Sequence, residues 1–343
     1  MPDLPPRPDF GQLRRQAKDL LRAATCGDAD ALRRVRAVSD RIVLASAQLA
    51  VAREYGLASW PKLRIEVLRR EVLNSADAAR LRALLGEQLE LAVARMEHWC
   101  DHPKGASPLG YVAMLRYDTS SGVWRDVPRA GMLARALIEA GAPVDGAPGE
   151  PETPLITAAS YGDAAVARVL IDAGADIDAR AASNAGGVPG GTPLLHAAVF
   201  GMTEVIDVLV AAGARPESVE EAAAVGDLTG YLSPRTSLQA RTRALVMAAD
   251  HERLRVIDEL LEAGTPIDAS DEQWGRQALR VAAQNGRVAS VEHLLACGAD
   301  PNLRDARQGR TALEWCREGL HGVADRWGHD EVEALLLAVT VTR

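Results

Sequence analysis

Apolar and polar positions along this chain recur with a long period rather than a simple alternation. The segment Leu170-Ile171-Asp172-Ala173-Gly174-Ala175-Asp176 returns nearly unchanged at Leu209 to Ala214, Leu260 to Thr265 and Leu294 to Asp300. Gly174, Gly213, Gly264 and Gly298 each stand 21 positions after Thr153, Thr192, Arg243 and Gln277. From Gly141 onward these loop glycines are separated by 33, 39, 51 and 34 residues, a base period near 33 with insertions. Such a period predicts a solenoid of helix pairs. Within one unit, Thr153 caps a first helix and Pro154 occupies its first turn, where the missing N–H costs nothing. Leu155, Ala158 and Ala159 give that helix a face on which a neighbouring unit can approach closely. Gly162 ends it, and Val166, Val169, Leu170 and Ile171 supply the apolar stripe of the second helix. Gly174 then stops the second helix in a left-handed conformation. Neither helix can bury its apolar face alone, so stacking supplies the core and stability sums over neighbours.

At these residues the chain resembles the ankyrin repeat, whose unit runs from a turn and Thr-Pro-Leu-His-x-Ala-Ala through a glycine to a Leu-Leu-x-x-Gly-Ala-Asp loop. Units 153–180 and 192–214 match well, whereas 243–270 and 277–304 keep the length and the Ala-Ala and Gly positions but open with Arg243 and Gln277. Degenerate units occupy 107–145, a short 217–230 and a closing 311–338. The histidine usual at the fourth position is replaced by Ile156, Leu195, Val246, Arg280 and Glu314, which leaves the family's histidine hydrogen-bond network without its usual residue. The resemblance covers roughly 107 to 338, and from 76 at its widest. It implies an all-α ankyrin-repeat solenoid that holds a partner on its concave side.

The same resemblance assigns that side to the finger tips and to the two positions before the glycine closing each first helix. Here those pairs are Ser160 and Tyr161, Val199 and Phe200, Asp250 and His251, and Gln284 and Asn285, with Trp274 in a finger. Aromatics in such places fit a recognition patch, since rigid aromatic anchors are favoured there; the competing reading packs Tyr161 or Phe200 against the adjoining finger. The first unit departs from the pattern, because Ser107 to Gly141 spans 34 positions and not 21. Its extra residues, around Arg116 to Pro128, carry Tyr117 and Trp124 and are expected to fold over the groove.

Charge divides the chain into a basic N-terminal helical module, 1–73, and an acidic array, 74–343. The first holds 14 Lys plus Arg against 9 Asp plus Glu, the second 25 against 38. In the module, Leu13, Ala17, Leu20, Leu21 and Ala24 share one face of a helix over Gly11 to Ala24, and a second runs from Asp28 to Val38 after Gly27. A third spans Ala45 to Tyr55 up to Gly56, and Ser59 caps a fourth beginning at Trp60-Pro61. The segments QAKDLLRAATCGDADAL and AQLAVAREYGLASWPKL resemble an extension carried by some bacterial ankyrin proteins. The module is read as a cap for the stack or as a basic docking site for an acidic partner or nucleic acid.

Composition agrees with a helical stack: 48% of residues are hydrophobic but only 4% aromatic. No stretch approaches 18 apolar residues, and Met1 to Asp9 lacks a signal pattern, so a soluble, cytoplasmic protein with no membrane partner is expected. Cys26, Cys100, Cys297 and Cys316 lack paired ligand spacing and are read as reduced thiols, with no cofactor and no structural metal. His98-Trp99-Cys100-Asp101-His102 puts two histidines at i and i+4, yet no further ligand accompanies them, and a solvated helix end before Pro103 is the plainer reading. The glycine run from Gly186 to Gly191 lacks the Gly-Lys-Ser/Thr of a phosphate loop and reads as a finger insertion. A net charge of −8 argues against general nucleic-acid binding by the array. The sequence therefore points to a non-catalytic scaffold holding a protein or peptide. Two rival readings stand beside it. One is an enzyme or small-molecule binder whose groove is closed by the 116–128 insertion, the other a regulator linked to nucleic acid through the basic module.

Overall fold

The computed structural model describes residues 4, 8–96, 106–118, 122–272, 275–319 and 328–340. Among them lie eighteen α-helices, one 3-10 turn and one two-stranded hairpin. The chain divides into two compact units, Met1–Val112 with Met132–Pro143 and Ala113–Gly131 with Val144–Arg343.

In the first unit, α1 (Phe10–Thr25), α2 (Ala29–Arg36), α3 (Leu44–Glu54) and α4 (Trp60–Asn74) follow the apolar periodicity closely. Asp9, Asp28 and Ser59 cap α1, α2 and α4, accepting from the backbone N–H of Gln12, Ala31 and Lys62 at 3.0, 2.8 and 3.3 Å. Leu13, Ala17, Leu20 and Ala24 pack with Val35, Ala47, Val51, Leu63 and Val67 into one core, and Phe10 meets Trp60 with ring centroids 5.2 Å apart. After α4 come α5 (Ala78–Glu87) and the 3-10 turn at Leu89–Ala92. Glu66 on α4 is buried and accepts from Arg69 at 2.5 Å and Arg70 at 3.2 Å. Arg69 also donates to the Ala94 carbonyl at 2.6 Å, tying the turn back to the helix. Next along the chain are α6 (Pro108–Ala113), the hairpin β1 (Tyr117–Asp118) with β2 (Val123–Trp124), which belongs to the second unit, and α7 (Ala130–Glu139).

Helix pairs dominate the second unit: α8 (Pro154–Tyr161) with α9 (Ala164–Asp172), then α10 (Pro193–Val199) with α11 (Thr203–Ala211). A lone α12 (Val219–Val225) precedes α13 (Leu238–Asp250) with α14 (Leu254–Glu262), α15 (Ala278–Gln284) with α16 (Val288–Ala296), and α17 (Ala312–Gly319) with α18 (His329–Val339). Thr153 and Thr192 cap α8 and α10 through the backbone N–H of Ile156 at 3.3 Å and Leu195 at 3.2 Å. Four of the five second helices close alike: Ala175, Ala214, Thr265 and Ala299 donate to the carbonyls of Leu170, Leu209, Leu260 and Leu294 at 3.0–3.1 Å. The intervening Gly174, with φ of 87°, takes the left-handed turn that this closure needs.

Two local expectations are corrected. The helix expected to open at Arg243 starts at Leu238, because Ser237 offers a cap to Ala240 N–H at 3.2 Å and no proline forces a later start. The short 217–230 unit supplies only α12, capped by Ser218 and stopped by Gly226, before turns lead to α13. In the closing repeat, Asp305 organises the preceding finger. It accepts from the N–H groups of Arg307, Gln308 and Arg310 and from Trp315 Nε1, all within 2.8–3.0 Å. Burial alone would push its carboxyl upward, yet these donors hold its pKa at about 2.

Leu170 and Leu209 are fully enclosed at the inward face of α9 and α11. Replacing either with alanine is expected to lower unfolding free energy by about 2–5 kcal/mol in denaturant titrations. A loss under about 0.5 kcal/mol would show that the inward register is wrong.

Candidate functional site

The extra residues of the first repeat form a tight hairpin. Tyr117 pairs with Trp124 and Asp118 with Val123 in antiparallel register, and Arg125 N–H donates to the Arg116 carbonyl at 2.7 Å. Arg125 Nε reaches the Leu115 carbonyl at 3.1 Å, and Arg116 donates to the carbonyl of Gly162 at the end of α8. This sets both hairpin aromatics against Tyr161, the last residue of α8. Ring centroids are 5.2 Å apart for Tyr117 and Trp124, 5.7 Å for Trp124 and Tyr161, and 6.2 Å for Tyr117 and Tyr161. All three remain partly exposed. Residues far apart in sequence, from the insertion and from a helix end, thus form one aromatic cluster with tilted ring packing. Gly162 allows the approach: a Cβ there would lie 2.9 Å from Arg116 and 2.5 Å from Met202 Sδ. Beside it, Asp163 caps α9 through Val166 N–H at 2.9 Å, while burial raises its pKa against the opposing pull of that bond and of Arg116.

One repeat later, Val199 and Phe200 sit at the corresponding place. Phe200 retains 40% of its surface in water, and its ring lies 6.1 Å from that of His196. It is more open to water than Tyr161, which is partly buried. Ser160, in contrast, is half-buried, with Oγ 2.8 Å from His196 Nδ1 and 3.1 Å from the Ile156 carbonyl.

The later pairs hold repeats together, which corrects the expectation that they face solvent. Asp250 and His251 are both buried. Asp250 accepts from Asn285 at 2.8 Å, and Arg287, 3.4 Å from the same oxygen, donates to the Gly201 carbonyl at 2.6 Å. His251 Nε2 lies 2.9 Å from the Ala198 carbonyl and its Nδ1 2.8 Å from Thr203 Oγ1. Gln284 is partly buried, and its backbone carbonyl meets His329 Nε2 at 3.0 Å. Trp274 and the 98–102 histidine pair lie outside the described residues.

Histidine ties between repeats therefore exist although the fourth position lacks histidine. His196 Nε2 meets the Val188 carbonyl at 3.0 Å; a carbonyl can only accept, so Nε2 carries the proton and Nδ1 is the acceptor. The glycine run makes room for this ring: a Cβ on Gly187 or Gly191 would lie 3.0 Å from it. A histidine directly before an Ala-Ala pair, as at His196, was the sequence signal available for this tie.

A family model described as ankyrin repeats in three copies matches residues 129–220, 227–305 and 245–337. Among solved structures, the crystal structure of the human ASB11 ankyrin repeat domain matches with 21% identity and a TM-score of 0.37, covering 80% of this chain and 97% of that one. No curated protein matches the chain.

Burial lowers the pKa of His251 below 6.5, with Asp250 and the Ala198 carbonyl opposing and Arg287 and Arg253 reinforcing. The unfolded chain therefore binds this proton first as pH falls through about 6.5, and the folded state loses stability in that window. Burial of His196 acts in the same sense, whereas the raised carboxyls of Glu152, Asp163 and Glu221 act in the opposite one. The diagnostic quantity is the difference between the wild type and His251→Gln. Unfolding free energy measured between about pH 7.5 and 5.5 is expected to fall more steeply in the wild type, by up to about 1.4 kcal/mol per pH unit. Equal slopes would show that His251 titrates normally.

Proposed function

The chain belongs to the ankyrin-repeat family, with the family match spanning residues 129–220 and 227–337, and from that premise we propose that it is a non-catalytic scaffold whose groove binds a protein or peptide. The observation that carries this reading is the aromatic surface at the ends of α8 and α10: Tyr117, Trp124 and Tyr161 clustered and partly exposed, and Phe200 exposed one repeat on. Large rigid rings left in water add little to the stack, but they bury much area at low entropic cost when a partner covers them. Binding is favoured over catalysis because the buried titratable groups at these helix ends are held by structural partners: His196 by Ser160 and Val188, His251 by Thr203 and Ala198, Asp250 by Asn285 and Arg287. An active site would gather such groups toward one reacting atom. A protein or peptide is favoured over nucleic acid by the excess of acidic over basic residues beyond position 73, 38 against 25.

The test separates binding from folding. Phe200→Ala removes a side chain that keeps 40% of its surface in water, so unfolding free energy is expected to change by about 1 kcal/mol or less. Proteins captured from the native cell on wild-type bait, identified by mass spectrometry and then titrated, are expected to bind Phe200→Ala or Trp124→Ala about thirtyfold more weakly, roughly 2 kcal/mol. Equal affinity for both variants, or a large drop in the melting midpoint of Phe200→Ala, would remove the aromatic surface as a binding face.

A further inference from the structure

Three different donor types converge where α14 and α16, the second helices of adjacent repeats, run side by side. His293 on α16 places Nε2 2.7 Å from Asp258 Oδ1 on α14. Cys297, at the C-cap of α16 and four residues after His293, has Sγ 3.8 Å from the same Nε2. The three donor atoms all lie within 4.8 Å of one another. The site is open: side-chain exposure is 26% for His293 and 49% for Asp258, and Cys297 is an exposed free thiol.

A Cys-His-Asp set could suggest an activated nucleophile, but the geometry opposes it. A relay needs the carboxylate on one ring nitrogen and the thiol on the other. Here both face Nε2, so the ring cannot orient on one and draw a proton from the other. Convergence on a single point is instead what chelation requires. Zinc bonds of about 2.0–2.1 Å to nitrogen or oxygen and about 2.3 Å to sulfur place tetrahedral donors about 3.3–3.6 Å apart. The observed 3.8 Å between nitrogen and sulfur needs to shrink slightly, and the 2.7 Å between nitrogen and oxygen to open by about half an ångström. Rotations of exposed side chains supply both movements. A mixed nitrogen, oxygen and sulfur set excludes calcium and magnesium, which take oxygen ligands, and suits a borderline ion.

We propose that Asp258, His293 and Cys297 bind one zinc-class divalent ion across adjacent repeats, with solvent water as the fourth ligand. Cys297 binds as the thiolate, so each ion taken up releases the thiol proton to solvent. Asp258 lies 35 positions before His293, about one repeat period, so ligand spacing along the chain passes over it and only the stack assembles the set.

The test uses the reduced, untagged full-length chain and Co²⁺ as a spectroscopic probe. A thiolate-to-cobalt absorption band is expected to saturate at one equivalent and to vanish on adding Zn²⁺. Cys297→Ser is expected to abolish the band, and His293→Ala and Asp258→Asn each to weaken apparent affinity at least tenfold. In chelator Cys297→Ser, which alters an exposed side chain, should melt like the wild type; added Zn²⁺ should raise the midpoint of the wild type but not of Cys297→Ser. Absence of the band, its persistence in Cys297→Ser, or loss of less than threefold in the other two variants would overturn the assignment.

Discussion

Close approach of the first helices is the constraint on which the second unit depends. Each of these helices carries consecutive small residues at the same place: Ala158-Ala159, Ala197-Ala198, Ala223-Ala224, Ala248-Ala249 and Ala282-Ala283, all buried to within 1%. In the closing repeat the fully buried Cys316 takes the first of these places. A larger side chain there would push neighbouring backbones apart, and the protein interior accommodates such overpacking poorly. The leucines and valines of the second helices, Val166, Leu170, Val205, Leu209, Val256, Leu260, Val291 and Leu294, then fill the layer beside them. The composition follows from this geometry. Alanine and branched aliphatics fill the layers, so few aromatics are needed inside; Trp315 is buried, whereas Tyr117, Trp124, Tyr161 and Phe200 keep part of their surface open.

Close approach also determines where polar groups can go. With helices this near, a side chain at the end of one repeat reaches the backbone of the next, and an unpaired buried group there would be costly. His251 and His329 meet that demand by donating to the carbonyls of Ala198 and Gln284, while His196 donates to Val188 in the loop before its own helix and reaches the preceding repeat through Ser160. These bonds are directional, whereas alanine packing is not. A slip of one repeat against another would keep much of the apolar contact and lose the histidine bonds, so the ties set register more than they add to net stability.

The repeat was legible because its signals are local and periodic: threonine caps, loop glycines and Ala-Ala pairs all act within one unit, and their spacing survives insertions. Where those signals were replaced, as at Arg243, the helix start moved to Leu238 because Ser237 competed as a cap. The exposure of the residues expected on the concave side was legible only in part. Tyr117, Trp124, Tyr161 and Phe200 stand on the surface as the spacing implied, but Asp250 and His251 do not. Nothing local marks that difference, since it depends on Asn285 and Arg287 a repeat away and on Thr203 two elements earlier. The Asp258, His293 and Cys297 cluster was hidden for the same reason: His293 and Cys297 share one helix, but Asp258 joins them only after stacking.

Equivalent positions in successive repeats thus take one of two roles. Where His251 and Asn285 occupy the helix end, each bonds to an earlier repeat, His251 to the Ala198 carbonyl and Asn285 to Asp250, and the surface is closed by hydrogen bonds. Tyr161 and Phe200 occupy the same place earlier in the stack, and there they meet other rings, Tyr161 those of Tyr117 and Trp124 and Phe200 that of His196. Ser160 and His196 make the tie for that stretch instead, one and four positions before the rings. Moving the polar work off the helix end is what leaves Tyr161 beside the hairpin and Phe200 in water. The early repeats can therefore present apolar surface without weakening their own contacts, whereas the later ones cannot lose Asp250 without freeing the Arg287 guanidinium that also holds Gly201.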